Sequence, residues 1–144
     1  MKNEEELNTC LKSSLTVGIK IPDPSSQFNM TVRRPFDLFG VFRGLPIYIE
    51  AKFQKTISSF NLSRIADHQL ENLLAFKKAM PCSLCWIVLG INVDKGDNRI
   101  YIFNDIFEIE ERRKNKNNIS KKELEVLPYL LIKKGLVDFT NYEE

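Results

Sequence analysis

Phe36-Asp37-Leu38-Phe39-Gly40-Val41-Phe42 and Leu45-Pro46-Ile47-Tyr48-Ile49-Glu50-Ala51-Lys52-Phe53 are two apolar runs with only Arg43-Gly44 between them. Such runs flanking a tight glycine-containing turn read as a β-hairpin. Pro46 either precedes the start of the second strand or turns its missing N–H off the ladder. Three charged residues lie inside the hairpin: Asp37, Glu50 and Lys52. With a two-residue turn, Phe42 faces Leu45, and counting outward sets Asp37 opposite Glu50. Directly opposed side chains have Cβ atoms about 4.5–5.5 Å apart. Two carboxylates that close repel unless a proton or a cation sits between them. A hard divalent cation with oxygen ligands, such as Mg²⁺, answers that problem. Lys52 is two residues past Glu50 and projects from the same face of its strand. The Ala51 carbonyl lies between them as a further candidate ligand. Carboxylates, a metal and a neighbouring ammonium together suit metal-assisted hydrolysis of a phosphodiester.

Outward from the hairpin, residues 3–13 read as a helix with acidic residues in its first turn and Leu7, Leu11 and Leu15 facing inward. Residues 21–27 read as a loop and 29–34 as a strand. Ser63 to Met80 reads as a helix capped by Ser63, with Ala66, Leu70, Leu73, Leu74 and Ala75 on its apolar face and Pro81 ending it. Leu84 to Asn92 reads as a central strand buried on both faces. Asp94-Lys95-Gly96-Asp97 is a turn, and Arg99 to Phe103 is the returning strand. Asn104 to Glu111 is a short helix or turn, and 112–118 a polar loop. Ser120 to Leu127 is a helix with Glu123 in capping-box spacing. The tail from Leu130 fits no single element. Mixed helices and strands around a hairpin predict an α/β or α+β sandwich.

The resemblance sits in three stretches taken in order: Arg34-Pro35-Phe36-Asp37-Leu38-Phe39-Gly40-Val41, Tyr48-Ile49-Glu50-Ala51-Lys52 and Asp67-His68-Gln69-Leu70-Glu71. Asp37 followed by Glu50-Ala51-Lys52 resembles the signature of the PD-(D/E)XK nuclease superfamily. The three stretches together resemble RecU-type Holliday junction resolvases, from about Glu4 to Tyr142. The resemblance implies a restriction-endonuclease-like mixed β-sheet flanked by helices in one domain spanning residues 1–144. It also implies Mg²⁺ or Mn²⁺ dependence, a homodimer, and paired nicks in a four-way DNA junction. A recombination helicase or recombinase is the class of protein partner to expect. Asp37, Glu50 and Ala51 are then the metal ligands, and Lys52 and Gln69 complete the catalytic set. Arg33, Arg34, His68, Arg112, Arg113 and Lys114 are the candidate DNA contacts.

The chain also departs from that family. Only about twenty residues separate Leu15 from Asp37, where the family carries a longer stalk, so junction selectivity is the property in question. Ala66 stands where a first helix histidine is usual, and Phe53-Gln54 where Glu-Thr is usual. Plainer readings stand beside several residues. Gln69 equally suits a solvated helix position, and His68 suits a supporting role. Arg33 and Arg34 suit a strand edge, and the basic run at 112–116 suits a solvated loop. Glu4 or Glu5 either joins the metal site or only complements the helix dipole. Two function classes remain besides a resolvase: a nuclease of the same fold cutting ordinary duplex, and a non-catalytic DNA- or partner-binding module.

Composition bounds the rest. The 144 residues suit one domain. With 43% hydrophobic residues, whole-chain disorder is excluded. The longest apolar run is about half the roughly 20 residues needed to cross a bilayer. The acidic start does not read as a signal peptide. Cys10, Cys82 and Cys85 cannot all pair, which fits a reducing, cytoplasmic setting. Cys82-x-x-Cys85 runs into the apolar strand and reads as core packing rather than half a zinc site.

Overall fold

The computed structural model describes residues 1–22, 34–94 and 96–144. Residues 29–33 of the expected strand over 29–34, Arg33 among them, most of the expected loop over 21–27, and Lys95 lie outside them. The described residues form a seven-stranded mixed sheet, β1 (Val17–Lys20), β2 (Leu38–Phe42), β3 (Leu45–Gln54), β4 (Leu84–Asp94), β5 (Asp97–Phe103), β6 (Leu130–Lys133) and β7 (Leu136–Val137). Strand order in space equals order in the chain. Every pairing is antiparallel except β3 with β4. Parallel neighbours need a crossover, and helix α2 (Asp67–Ala79) supplies it.

The hairpin forms as the sequence dictates. Phe42 faces Leu45 and Leu38 faces Ile49. Arg43 and Gly44 both hold positive φ, 51° and 81°, as a tight turn matched to strand twist requires. Pro46 lies inside β3, opposite Val41. On β3, Ile47, Ile49 and Ala51 pack with Leu7 and Leu11 of α1 (Glu4–Ser14). Tyr48 packs on the opposite face, with the α2 residues Leu70, Leu73 and Leu74. Strand alternation puts Glu50 and Lys52 on that second face. Helices α3 (Ile106–Lys114) and α4 (Lys121–Val126) join α2 there through Ile106, Ile109 and Leu124. β4 is buried on both faces from Leu84 to Ile91. Its central place explains a run without alternation.

Four local readings change. β1 was not foreseen; it pairs Val17–Lys20 with Val41–Leu38. Its backbone comes so close that a Cβ on Gly40 would lie 1.9 Å from the Val17 carbonyl oxygen, so only glycine fits. Helix α2 starts at Asp67, not Ser63. Asn61 takes the Ser63 N–H and closes a single 3₁₀ turn at Leu62–Arg64, after which Ile65 and Ala66 return to extended backbone. The Ala66 N–H is then met by the Gln69 side chain at 3.0 Å. Residues Arg112 to Lys114 are the last turn of α3, not a loop. Asp105 caps that helix, and its basic C-terminal turn complements the dipole. The tail resolves into β6–β7 and a terminal aromatic cluster. Ser120 and Glu123 form the expected capping box. Cys85 is core, whereas Cys82 is exposed in the turn before β4. Among the described residues no helix is long and apolar enough to cross a membrane.

Candidate active site

β3 continues to Gln54, beyond Ile49, where its pairing with β2 begins. The carboxylates collect at that junction. Asp37 directly precedes β2, and its N–H still donates to the Ile49 carbonyl at 3.0 Å. Past that point β2 offers β3 no further backbone acceptor. The Asp37 side chain substitutes, with Oδ2 accepting from the Ala51 N–H at 2.9 Å. That bond fixes the carboxylate where the register sets it against Glu50. Asp37 is 0% exposed and Glu50 1%.

Helix α1 brings a third carboxylate to the same place. Oxygens of Glu4, Asp37 and Glu50 all lie within 4.8 Å of one another. The sequence left Glu4 and Glu5 undecided; the structure places Glu4 in the cluster and leaves Glu5 exposed. Asn3 caps α1 by accepting from the Glu6 N–H at 2.8 Å, which holds the first turn. Only the three-dimensional path of α1 separates the two acids, so spacing alone carried no signal.

Lys52 and Arg34 form ion pairs with the cluster, and Arg64 adds its charge near Glu4. Lys52 Nζ is 3.1 Å from Glu50 Oε1 and donates to Gln69 Oε1 at 3.4 Å. The Arg34 guanidinium is 3.0 Å from Asp37 Oδ1. Neither ion pair is an aligned hydrogen bond: Asp37 Oδ1 and both Glu50 oxygens are buried without one. Buried charge left so is expensive. Burial first, and then Asp37, push the Glu50 carboxyl up to about 8, with Lys52 opposing. Burial also raises Glu4. A divalent cation would draw the proton from Glu50 and offset the repulsion among the three carboxylates. The donor set, all oxygen, fits a hard cation.

The remaining predicted residues divide. Gln69 Oε1 is held between Lys52 and the Ala66 N–H, so the side chain steadies the lysine. His68 Nε2 lies 3.1 Å from the Arg34 carbonyl. That oxygen only accepts, so Nε2 carries the proton, and the histidine braces the segment that bears Arg34. Arg112 is spent inside the protein, contrary to a DNA role. It donates to both Glu123 oxygens at 2.9 and 2.7 Å and to the Asn117 and Asn118 carbonyls at 3.1 and 2.9 Å, clipping α4 to α3. Arg113 pairs with Asp67, and Lys114 is exposed, 3.8 Å from Glu110.

A family model described as RecU, recombination protein U, matches residues 24–142. Among solved structures the fold is similar to that of Archaeoglobus fulgidus Hjc, a Holliday junction resolvase from an archaeal hyperthermophile. The two share 16% identity over 69% of this chain and 73% of that one, with a TM-score of 0.43. No curated protein sequence matches the chain. Glu4 lies outside the stretch the family model covers.

Proposed function

The chain belongs to the RecU family of Holliday junction resolvases, and from that premise we propose how its residues divide the work of cutting a four-way DNA junction. The observation that carries the reading is the cluster of buried Asp37 and Glu50 with half-buried Glu4, with Lys52 beside it and Asp37 and Glu50 oxygens lacking hydrogen bonds. Asp37 and Glu50 hold Mg²⁺ or Mn²⁺, with Glu4 and the Ala51 carbonyl completing the protein's oxygen donors. When bound, the ion polarises the phosphoryl oxygen and makes water a nucleophile at neutral pH. The Ala51 N–H keeps Asp37 in place. Lys52 orients the attacking water and stabilises charge gathering on the phosphate. Gln69 positions Lys52. Arg34, with Arg33, and the α3 end with Arg113 and Lys114 hold the flanking DNA backbone, and His68 braces Arg34. Two symmetric cuts call for two symmetric sites, which a twofold homodimer supplies.

Cleavage of a labelled four-way junction and of a linear duplex of matching sequence tests this, each with Mg²⁺, Mn²⁺ or EDTA. Paired nicks in the junction alone, abolished by EDTA and by Asp37→Asn, are the expected result. Equal cutting of the duplex would replace the junction with general duplex as substrate. The short stretch between Leu15 and Asp37 favours that second reading. Metal-independent cutting, or none, would overturn the catalytic assignment.

A further inference from the structure

A cavity of about 310 Å³ lies between the 3₁₀ turn before α2 and the C-terminal end of α3, lined by Asn61, Ser63, Arg113, Lys116 and Asn118. No carboxylate lines it. Each asparagine has its oxygen committed: Asn118 Oδ1 accepts from the Leu62 N–H and Asn61 Oδ1 from the Ser63 N–H, both at 2.9 Å. A backbone N–H can only donate, so these bonds also settle which amide atom is oxygen. What remains to both side chains is their NH₂ donors. Arg113 Nε–H is buried without a hydrogen-bond partner, while the far end of the guanidinium pairs with exposed Asp67. The Lys116 ammonium and Ser63 hydroxyl make no hydrogen bond among the described residues. Lys116 is held there in the left-handed region, φ 54°, closed by its N–H to the Arg113 carbonyl.

A concavity offering donors from five side chains, two of them cationic, calls for an acceptor-only anion. Phosphate oxygens meet that description. The cavity is also tied to the catalytic end of β3. Arg64, in the same 3₁₀ turn, donates to the Phe53 carbonyl at 2.9 Å, next to Lys52. Gln69 is six residues on from Ser63, so even a fully extended chain separates them by no more than roughly 20 Å. Duplex DNA advances about 3.4 Å per nucleotide of each strand. We propose that this cavity is a phosphate subsite that takes the DNA backbone within about six nucleotides of the cut. The inference rests on the nuclease reading above and adds a location to it.

The test uses the whole chain and a labelled four-way junction, with affinity measured across a salt series in EDTA. Lys116→Gly removes the ammonium while relaxing the left-handed backbone, so the variant keeps its fold. Its salt slope should fall by about one and its affinity at moderate salt several-fold, since one phosphate contact is lost. Ser63→Asp, which adds a like charge to the phosphate, should weaken binding further. Lys134→Gly is the matched control. That lysine has φ 53° in the turn between the last two strands of the sheet, and its loss should leave the slope unchanged. An unaltered slope in Lys116→Gly, or an equal drop in Lys134→Gly, overturns the subsite. In either case metal-dependent junction cutting by wild type leaves the nuclease reading standing. A wild type that neither binds nor cuts DNA overturns both.

Discussion

The hairpin of β2 and β3 has two ends, and they treat polar groups in opposite ways. At the turn end, Arg43 donates to the Tyr142 and Phe139 carbonyls at 2.5 and 2.7 Å and lies over the Phe42 and Tyr142 rings. Trp86, beside Phe42, donates its indole N–H to Glu144 at 2.9 Å. Arg43 and the Trp86 indole both find acceptors on the chain itself. At the open end, Asp37 and Glu50 are as deeply buried, yet three of their four oxygens accept no hydrogen bond. One strand pair thus carries a closed end that stabilises the fold and an open end that costs stability. Buried polar groups are nearly always satisfied in folded proteins; three unsatisfied oxygens on two neighbouring carboxylates fit a cation that both would hold.

The largest effects should separate the two ends. Glu50→Gln or Asp37→Asn should lower the cleavage rate by about 10³-fold or more, since several kcal/mol of transition-state stabilisation are removed. For Glu50→Gln, the Tm without metal should not fall, because a neutral amide replaces a buried carboxyl whose oxygens accept no hydrogen bond. A drop in Tm alongside the lost activity would break the comparison. Trp86→Ala should do the reverse. Its indole is wholly buried, and truncation should cost about 3–5 kcal/mol in denaturant unfolding, with per-molecule cleavage retained by the folded fraction.

Next comes pH. The Glu50 carboxyl is raised from 4.5 to about 8, so between those values the folded state holds a proton that the unfolded state has released. Stability of the metal-free protein therefore falls as pH rises through that window, by an amount of order a few kcal/mol. Urea unfolding at pH 5 and pH 8 checks the sign, and Glu50→Gln should flatten the difference. Added Mg²⁺ should restore stability most at the higher pH, where the ionised site binds it. The smallest effect is Arg43→Lys, which keeps the charge but loses the two-pronged grip on the tail. It should cost about 1 kcal/mol in unfolding and nothing in cutting.

Much of this was legible in the chain because period-two alternation and a two-residue turn leave a hairpin little freedom. Counting outward from Arg43-Gly44 set Asp37 against Glu50 and placed Lys52 beside them. The buried central strand followed from its unbroken apolar run, and α4 from its capping box. What escaped were long-range relations. Glu4 reaches the cluster only through the packing of α1. β1 is four residues with little apolar pattern, defined by its closeness to Gly40. The charge run at Arg112-Arg113-Lys114 looked like one solvated patch, yet Arg112 is a structural clip because Glu123, eleven residues away in sequence, meets it across two helices. Composition cannot distinguish an arginine that has found a carboxylate from one that faces solvent.

The identity of spatial and chain order in the sheet has a kinetic consequence. Each strand pairs with the one synthesised just before it, so each pairing can form once its later strand is made, and loop-closure entropy is met stepwise, most at the β3–β4 crossover. The residues that gather the carboxylates and Lys52 are complete by position 52, while the contacts that close the molecule come last. The Val137 N–H reaches Ser14 Oγ across 123 residues, and Glu144 reaches Trp86 across 58. Folding from the N-terminus therefore assembles the carboxylate end early and clamps the aromatic end late. Unfolding should begin in reverse, with release of the C-terminal tail while the carboxylate cluster is still intact.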